Sequence, residues 1–254
     1  MKAKKSYGQH FLRHDKVAQN IALLISPQYK NSQVLEVGPG RGKLTQFLIK
    51  NHSALTVVEA DRDMVDYLQQ AYANVDFDII AADFLQVPLT DIIKEECVLI
   101  GNFPYNISTQ IVFKLLEHRN IFPEMIGMFQ KEVADRILAV PGSKIYGILS
   151  VLTQAYYSGK KEMKLSPGHF NPPPKVDSAV IKINRLENPR VINSYENLKK
   201  VVKTGFNQRR KMLRNSLKEF IVSEEQRNHS LMRKRPEALS VEEFDELTSL
   251  LIKD

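Results

Sequence analysis

The stretch Asn102-Phe103-Pro104-Tyr105 gathers a side-chain amide oxygen, a main-chain carbonyl at a proline turn and a phenol ring. Two acceptors so placed can take both hydrogens of an aromatic amine and favour the pyramidal, sp³-like nitrogen of its transition state. The exocyclic amine of adenine suits such an arrangement, because its lone pair is delocalised into the ring and nucleophilicity must be induced. The Asn102 side chain and the Pro104 carbonyl are the candidate acceptors, and Tyr105 offers a face on which an extruded base can stack. An isolated Asn-x-Pro is an ordinary turn, so its meaning depends on its surroundings.

Upstream lies Glu36-Val37-Gly38-Pro39-Gly40-Arg41-Gly42, a glycine-rich turn of the kind that lets a ligand approach the backbone closely. No Gly-Lys-Ser/Thr follows, which excludes a phosphate-cradling P-loop. Glu36 would repel a pyrophosphate but suits a cationic sulfonium that also carries an amino group. Glu59, about 20 residues past the turn, stands where a carboxylate accepts bonds from both ribose hydroxyls. Asp83 is placed to hydrogen-bond an adenine amine. Dehydrogenases share the turn and Glu59, so these features alone leave two enzyme classes open.

These residues need a sheet to hold them. Val34–Val37, Leu55–Glu59, Phe77–Ile80, Val98–Gly101 and Met125–Phe129 read as strands alternating with amphipathic helices, the pattern of a mostly parallel sheet covered on both faces. Asn102 follows the fourth of these strands, where open α/β sheets carry reactive groups. Two further strands, over 162–165 and 179–183, flank a loop with Pro172, Pro173 and Pro174, which cannot be a central strand. After Asn188-Pro189 the chain turns helical, with helices expected over 198–206, 209–220 and 241–252. The expectation is an α/β domain over 1–187 and a small all-helical domain over 188–254.

The 254 residues carry a net charge of +7, and the excess is concentrated. Between Lys199 and Arg235 only Glu219, Glu224 and Glu225 oppose a dozen lysines and arginines, which points to a polyanionic partner such as nucleic acid. A single cysteine, Cys97, excludes an internal disulfide and fits a reducing compartment; its apolar neighbours suggest a packed thiol rather than a nucleophile. With no apolar run of membrane length and no secretory leader, a cytoplasmic location is expected.

Taken together, these motifs resemble the ribosomal RNA adenine N6-dimethyltransferase family, from about Tyr7 to the C-terminus. The resemblance rests on Gly8-Gln9-His10-Phe11-Leu12, the Glu36–Gly42 turn, Glu59, Asp83, Asn102 to Ser108, and the string Phe170 to Ser178. It implies a Rossmann-like S-adenosylmethionine-dependent methyltransferase sheet with helices on both faces, with S-adenosylmethionine as methyl donor and no metal. It also implies donor contacts from His10, Leu12, Gly38, Glu59, Asp83 and Asn102. Catalytic roles follow for Asn102, Pro104 and Tyr105, with Phe170 sandwiching the flipped adenine against Tyr105. Two positions depart from the family pattern: His10 stands where asparagine is usual, and Phe103 where leucine is usual.

The Phe170–Ser178 string and Asn106-Ile107-Ser108-Thr109 are similar to the small-subunit branch of the family. That similarity implies two methyl transfers to each of one or two adenines in a hairpin loop near the 3′ end of small-subunit rRNA, with the rRNA or a pre-30S particle as partner. Arg209, Arg210, Lys211 and Arg214 are expected on a basic helix that tracks phosphates, with Lys2, Lys4, Lys5, Arg13 and Lys16 as possible additions. No membrane partner is expected, and the chain is expected to be a monomer. Three other readings stay open: a DNA adenine methyltransferase, an assembly factor acting mainly by binding, and an NAD-dependent dehydrogenase.

Overall fold

A computed structural model describes Lys4 and residues 7–252. Its strands are β1 (Phe11–Leu12), β2 (Gln33–Val37), β3 (Leu55–Glu59), β4 (Asp78–Ala81), β5 (Cys97–Asn102), β6 (Glu124–Gln130), β7 (Tyr157–Leu165), β8 (Phe170–Asn171) and β9 (Ser178–Arg185). Among the described residues they form a seven-stranded sheet in the order β4-β3-β2-β5-β6-β9-β7, and a separate two-stranded ladder of β1 with β8.

The apolar runs of β2, β3 and β5 are buried along nearly their whole length, as parallel strands covered on both faces must be. All pairings from β4 to β6 are parallel, and β9 joins β6 antiparallel. The chain runs outward from β2 through β3 to β4, then returns to β5 on the other side of β2. The sheet therefore reverses direction of growth between β2 and β5, the place where open α/β sheets bind ligands. Gly38 follows β2 there, and Asn102 ends β5.

The chain divides into two compact units, one of residues up to Ala134 with Gly159–Arg185, the other of Asp135–Ser158 with Leu186 onward. A single cut near residue 187 thus marks one edge only, because the segment 135–158 groups with the second unit. Helix Ile148–Tyr156 belongs to that unit and is buried on nearly every side, Ser150 and Thr153 included. Helix Tyr195–Asn207 is capped by Ser194, whose side chain accepts from the Asn197 amide. The Ser240–Glu243 capping box opens helix Val241–Leu251.

The continuous basic helix expected over 209–220 is not present. The helix stops at Asn207, Gln208 to Lys211 form a turn, and only two short pieces follow, an α-helical Leu213–Ser216 and a 3-10 turn at Lys218–Phe220. Burial explains the break: Leu213 and Leu217 are both fully buried, and the Leu213 amide donates to the Lys234 carbonyl at 2.9 Å. Arg210, Lys211 and Arg214 are exposed there, while Arg209 is half-buried and donates to the Ser143 carbonyl at 3.2 Å.

Cys97 is fully buried at the start of β5, and burial pushes its thiol up, so it stays protonated. No helix among the described residues is long and apolar enough to cross a membrane, and no metal-ligating cluster occurs among them.

Candidate active site

A cavity of about 410 Å³ opens at the carboxyl ends of β2, β3 and β5. Gly38, Glu59, Asp83 and Asn102 all line it, as do Pro104, Tyr105 and His10. The strand-end logic thus brings together residues separated by more than sixty positions.

The glycines of the first turn are there for reach. Gly38 has φ 71°, and a Cβ at this position would meet Pro104 Cδ at 3.3 Å and the Asn102 carbonyl at 3.7 Å. The catalytic-loop candidate therefore lies directly against the turn. Gly40, with φ 55°, leaves room for the Phe11 ring, whose Cε1 would lie 2.8 Å from an added Cβ.

Glu59 ends β3 with both oxygens held. Its Oε2 accepts the Gly40 amide at 3.0 Å and its Oε1 the Asp61 amide at 2.9 Å. Burial raises its pKa, while these main-chain donors pull the other way by favouring the charged form. Each carboxylate oxygen has a further lone pair, and Glu59 lines the cavity, so it retains acceptor capacity there. Asp83 caps the short turn Phe84–Gln86, accepting the Leu85 amide at 2.9 Å through Oδ1.

In the candidate catalytic loop, Asn102 Nδ2 donates to the His10 carbonyl at 2.8 Å. The Pro104 carbonyl accepts the Ile107 amide at 3.1 Å, a bond that leaves it a second lone pair. Tyr105 is anchored through its hydroxyl to Ser178 on β9 at 2.5 Å, and its ring stacks on His10 with centroids 5.3 Å apart. Phe103 is buried beneath, edge-on to Phe129.

Three of the singled-out side chains stand away from the cavity. Phe170 is 1% exposed and does not line the cavity. It pairs with Leu12 across the β1–β8 ladder, and both side chains join the apolar core, because backbone pairing turns them inward. The ring against Tyr105 is that of His10. Leu12 likewise gives way to its neighbour Phe11 at the cavity wall. Glu36 is buried away from the cavity, where its Oε2 accepts the Thr45 hydroxyl at 2.7 Å, so it does not meet a ligand's charge.

Lys2 and Lys5 lie outside the described residues. Lys4 is not a free cation: it bridges Asp61 at 2.6 Å and Asp63 at 2.7 Å, while Gln9 also donates to Asp61 at 2.8 Å. Asp61 is wholly buried and was not anticipated. It fastens the segment before β1 to the end of β3, a link for which the sequence carries no local signal. Arg13 and Lys16 are exposed.

A family model described as ribosomal RNA adenine dimethylase matches residues 1–253. A ribosomal RNA small subunit methyltransferase A of Bacteroides thetaiotaomicron is 50% identical over 251 residues, covering 98% of this chain and 94% of the relative. The protein of that name from Flavobacterium johnsoniae is 46% identical over 255 residues, covering 100% and 97%. Among solved structures, a dimethyladenosine transferase from Plasmodium falciparum superposes with a TM-score of 0.77 at 24% identity, covering 94% of this chain and 96% of that one. The 23S rRNA methyltransferase ErmE gives 0.70 at 25% identity, with 95% and 99% covered. With its Rossmann-like sheet and its cavity at the β2–β5 reversal, the chain belongs to the ribosomal RNA adenine dimethylase family.

Proposed function

We propose that this protein transfers methyl groups from S-adenosylmethionine to the exocyclic amine of adenine in small-subunit rRNA, twice to each of adjacent adenines in a hairpin loop near the 3′ end. The single observation that carries the reading is the juxtaposition of Asn102 and Pro104 with Gly38, beside a Glu59 carboxylate already fixed by two amides. The names of relatives that are 50% and 46% identical support the small-subunit branch.

The residues present fit the donor. Glu59 would hold the ribose hydroxyls, Asp83 the adenine amine, and Gly38 the part of the ligand that passes closest to the backbone. Bound S-adenosylmethionine supplies an electrophilic methyl group on a sulfonium sulfur. On the acceptor side, the Asn102 amide is turned by its bond to the His10 carbonyl so that Oδ1 is its acceptor. Together with the Pro104 carbonyl it takes the two amine hydrogens and favours the sp³ nitrogen. Tyr105, held by Ser178 and flanked by His10, gives the target base an aromatic surface. A loop adenine is cheaper to extrude than a paired one. Arg210, Lys211 and Arg214 supply phosphate contacts that carry no base readout.

The test is transfer of radiolabelled methyl to small subunits, or pre-30S particles, that lack methylated adenines, followed by digestion to nucleosides. Label in N6,N6-dimethyladenosine, lost with Asn102→Ala, is the expected result. Label restricted to naked large-subunit rRNA would move the protein to another branch, and no label on any RNA despite particle binding would leave a binding role.

A further inference from the structure

Lys114 is a lysine in an unusual place. It lies on helix Ser108–Glu117 and is 9% exposed. Its Nζ donates to the carbonyls of Phe84 at 2.7 Å, Leu85 at 3.0 Å and Val87 at 2.6 Å. All three ammonium protons thus end on one short stretch of main chain. The stem also brings Nζ within 5.1 Å of the Phe84 ring centroid. A leucine or methionine would fill the same volume without desolvating a charge, so the donors themselves must matter at this position.

The stretch they hold is a wall of the active site. Asp83 and Phe84 both line the cavity. Asp83 Oδ1 accepts the Leu85 amide, and the Leu85 carbonyl accepts Lys114, so the acid and the lysine clamp opposite ends of the same peptide turn. The lysine's own helix begins immediately after the catalytic loop, with the Ser108 hydroxyl donating to the Tyr105 carbonyl at 3.2 Å. One side chain therefore joins the wall that carries Asp83 to the helix that anchors Asn102–Ile107.

We propose that Lys114 is a positioning residue for the donor's adenine: it fixes the Phe84–Gln86 turn so that Asp83 meets the adenine amine in one orientation. This rests on the methyl-transfer reading above. Lys114 acts through Asp83 and touches neither substrate.

Calorimetry with S-adenosylhomocysteine and steady-state kinetics on rRNA test it. Lys114→Met is expected to raise Kd for S-adenosylhomocysteine and KM for the donor about tenfold. At saturating donor, kcat and the KM for RNA should stay within about twofold. Lys114→Arg, which keeps the charge and the donors, should recover most of the affinity. Asp83→Ala should lose a similar factor, and the Lys114→Met, Asp83→Ala double variant no more than the worse single, because both act on one contact. Losses that multiply, or an unchanged Kd in a variant that merely melts earlier, would overturn the proposal and make Lys114 a stability element. Should the methionine variant fail to fold, Lys114→Gln is read on the same scale. If the unaltered protein binds no S-adenosylhomocysteine, the methyl-transfer reading itself fails and this inference fails with it.

Discussion

Asn102 Nδ2 donates to the His10 carbonyl at 2.8 Å, and this bond sets the orientation of the amide. A carbonyl can only accept, so the NH₂ group must face it and Oδ1 is the end that can serve as an acceptor for a ligand. Removing one such preorganised group costs about 10²–10³ in kcat. Asn102→Ala is therefore expected to lose that factor in single-turnover transfer at saturating donor. Near-normal turnover in this variant would remove Asn102 from the chemistry.

Glu59 accepts one amide on each oxygen, from turns that follow different strands. Glu59→Gln turns an NH₂ group toward one of those amides and leaves a buried donor unpaired. A loss of about 1–3 kcal/mol in stability is expected. The Kd for S-adenosylhomocysteine should rise at least about tenfold. Chemical denaturation and calorimetry read the two effects separately, and unaltered affinity would mean that Glu59 only braces the turns.

Phe103 fits because two glycines face each other beneath it. Gly101 on β5 is in register with Gly127 on β6, and added Cβ atoms would lie 2.9 and 2.5 Å from the Phe103 ring. Gly127→Ala also meets the Phe129 ring. It is expected to destabilise the protein by about 1–3 kcal/mol through overpacking. Combining it with Phe103→Leu should recover part of that loss, whereas strictly additive losses would show that the ring and the glycine do not share the space.

Burial pushes the Glu36 carboxyl up to about 8 from the usual 4.5, against the opposing bond from Thr45. The folded protein then holds a proton that the unfolded chain has released between those values. Its contribution to stability is complete below about pH 4.5 and is lost as the pH rises through about 8. Thermal melts from pH 5.5 to 8.5 should show the unaltered protein falling relative to Glu36→Gln. Parallel curves would show that Glu36 is ionised throughout.

Arg210, Lys211 and Arg214 are exposed in the second unit. Replacing all three with alanine should reduce the steepness of log K against log salt for RNA binding by about 2, at roughly 0.7 per lost single-strand phosphate contact. An unchanged slope would place the phosphate contacts elsewhere.

Glu59, Asp83 and Asn102 were legible in the sequence because each ends or follows an apolar strand, and parallel strands deliver their ends to one side of a sheet. The burial of the Leu12 and Phe170 side chains was not legible, because a two-residue ladder leaves no periodicity to read. The break after Asn207 was hidden by a charge run that looks helical throughout, although Leu213 and Leu217 needed to reach a core. Lys114 reads as one polar residue on an amphipathic helix, since nothing local tells that three carbonyls wait for it. Segment 135–158 looks continuous with the sheet region, because membership in a compact unit is set by packing and not by order along the chain.

The joining of the cavity's rim has a kinetic side. His10 is bonded to Pro172, 162 positions away, next to a ladder of only two residues per strand. Closing so long a loop carries a large entropic penalty for few bonds, so the sheet must already have brought both segments close before the ladder gains anything. The rim is thus expected to close late in refolding, and ligand binding to be regained after the sheet's own circular dichroism signal. In a ribosome-bound nascent chain, the same relationship delays a complete site until β8 has emerged.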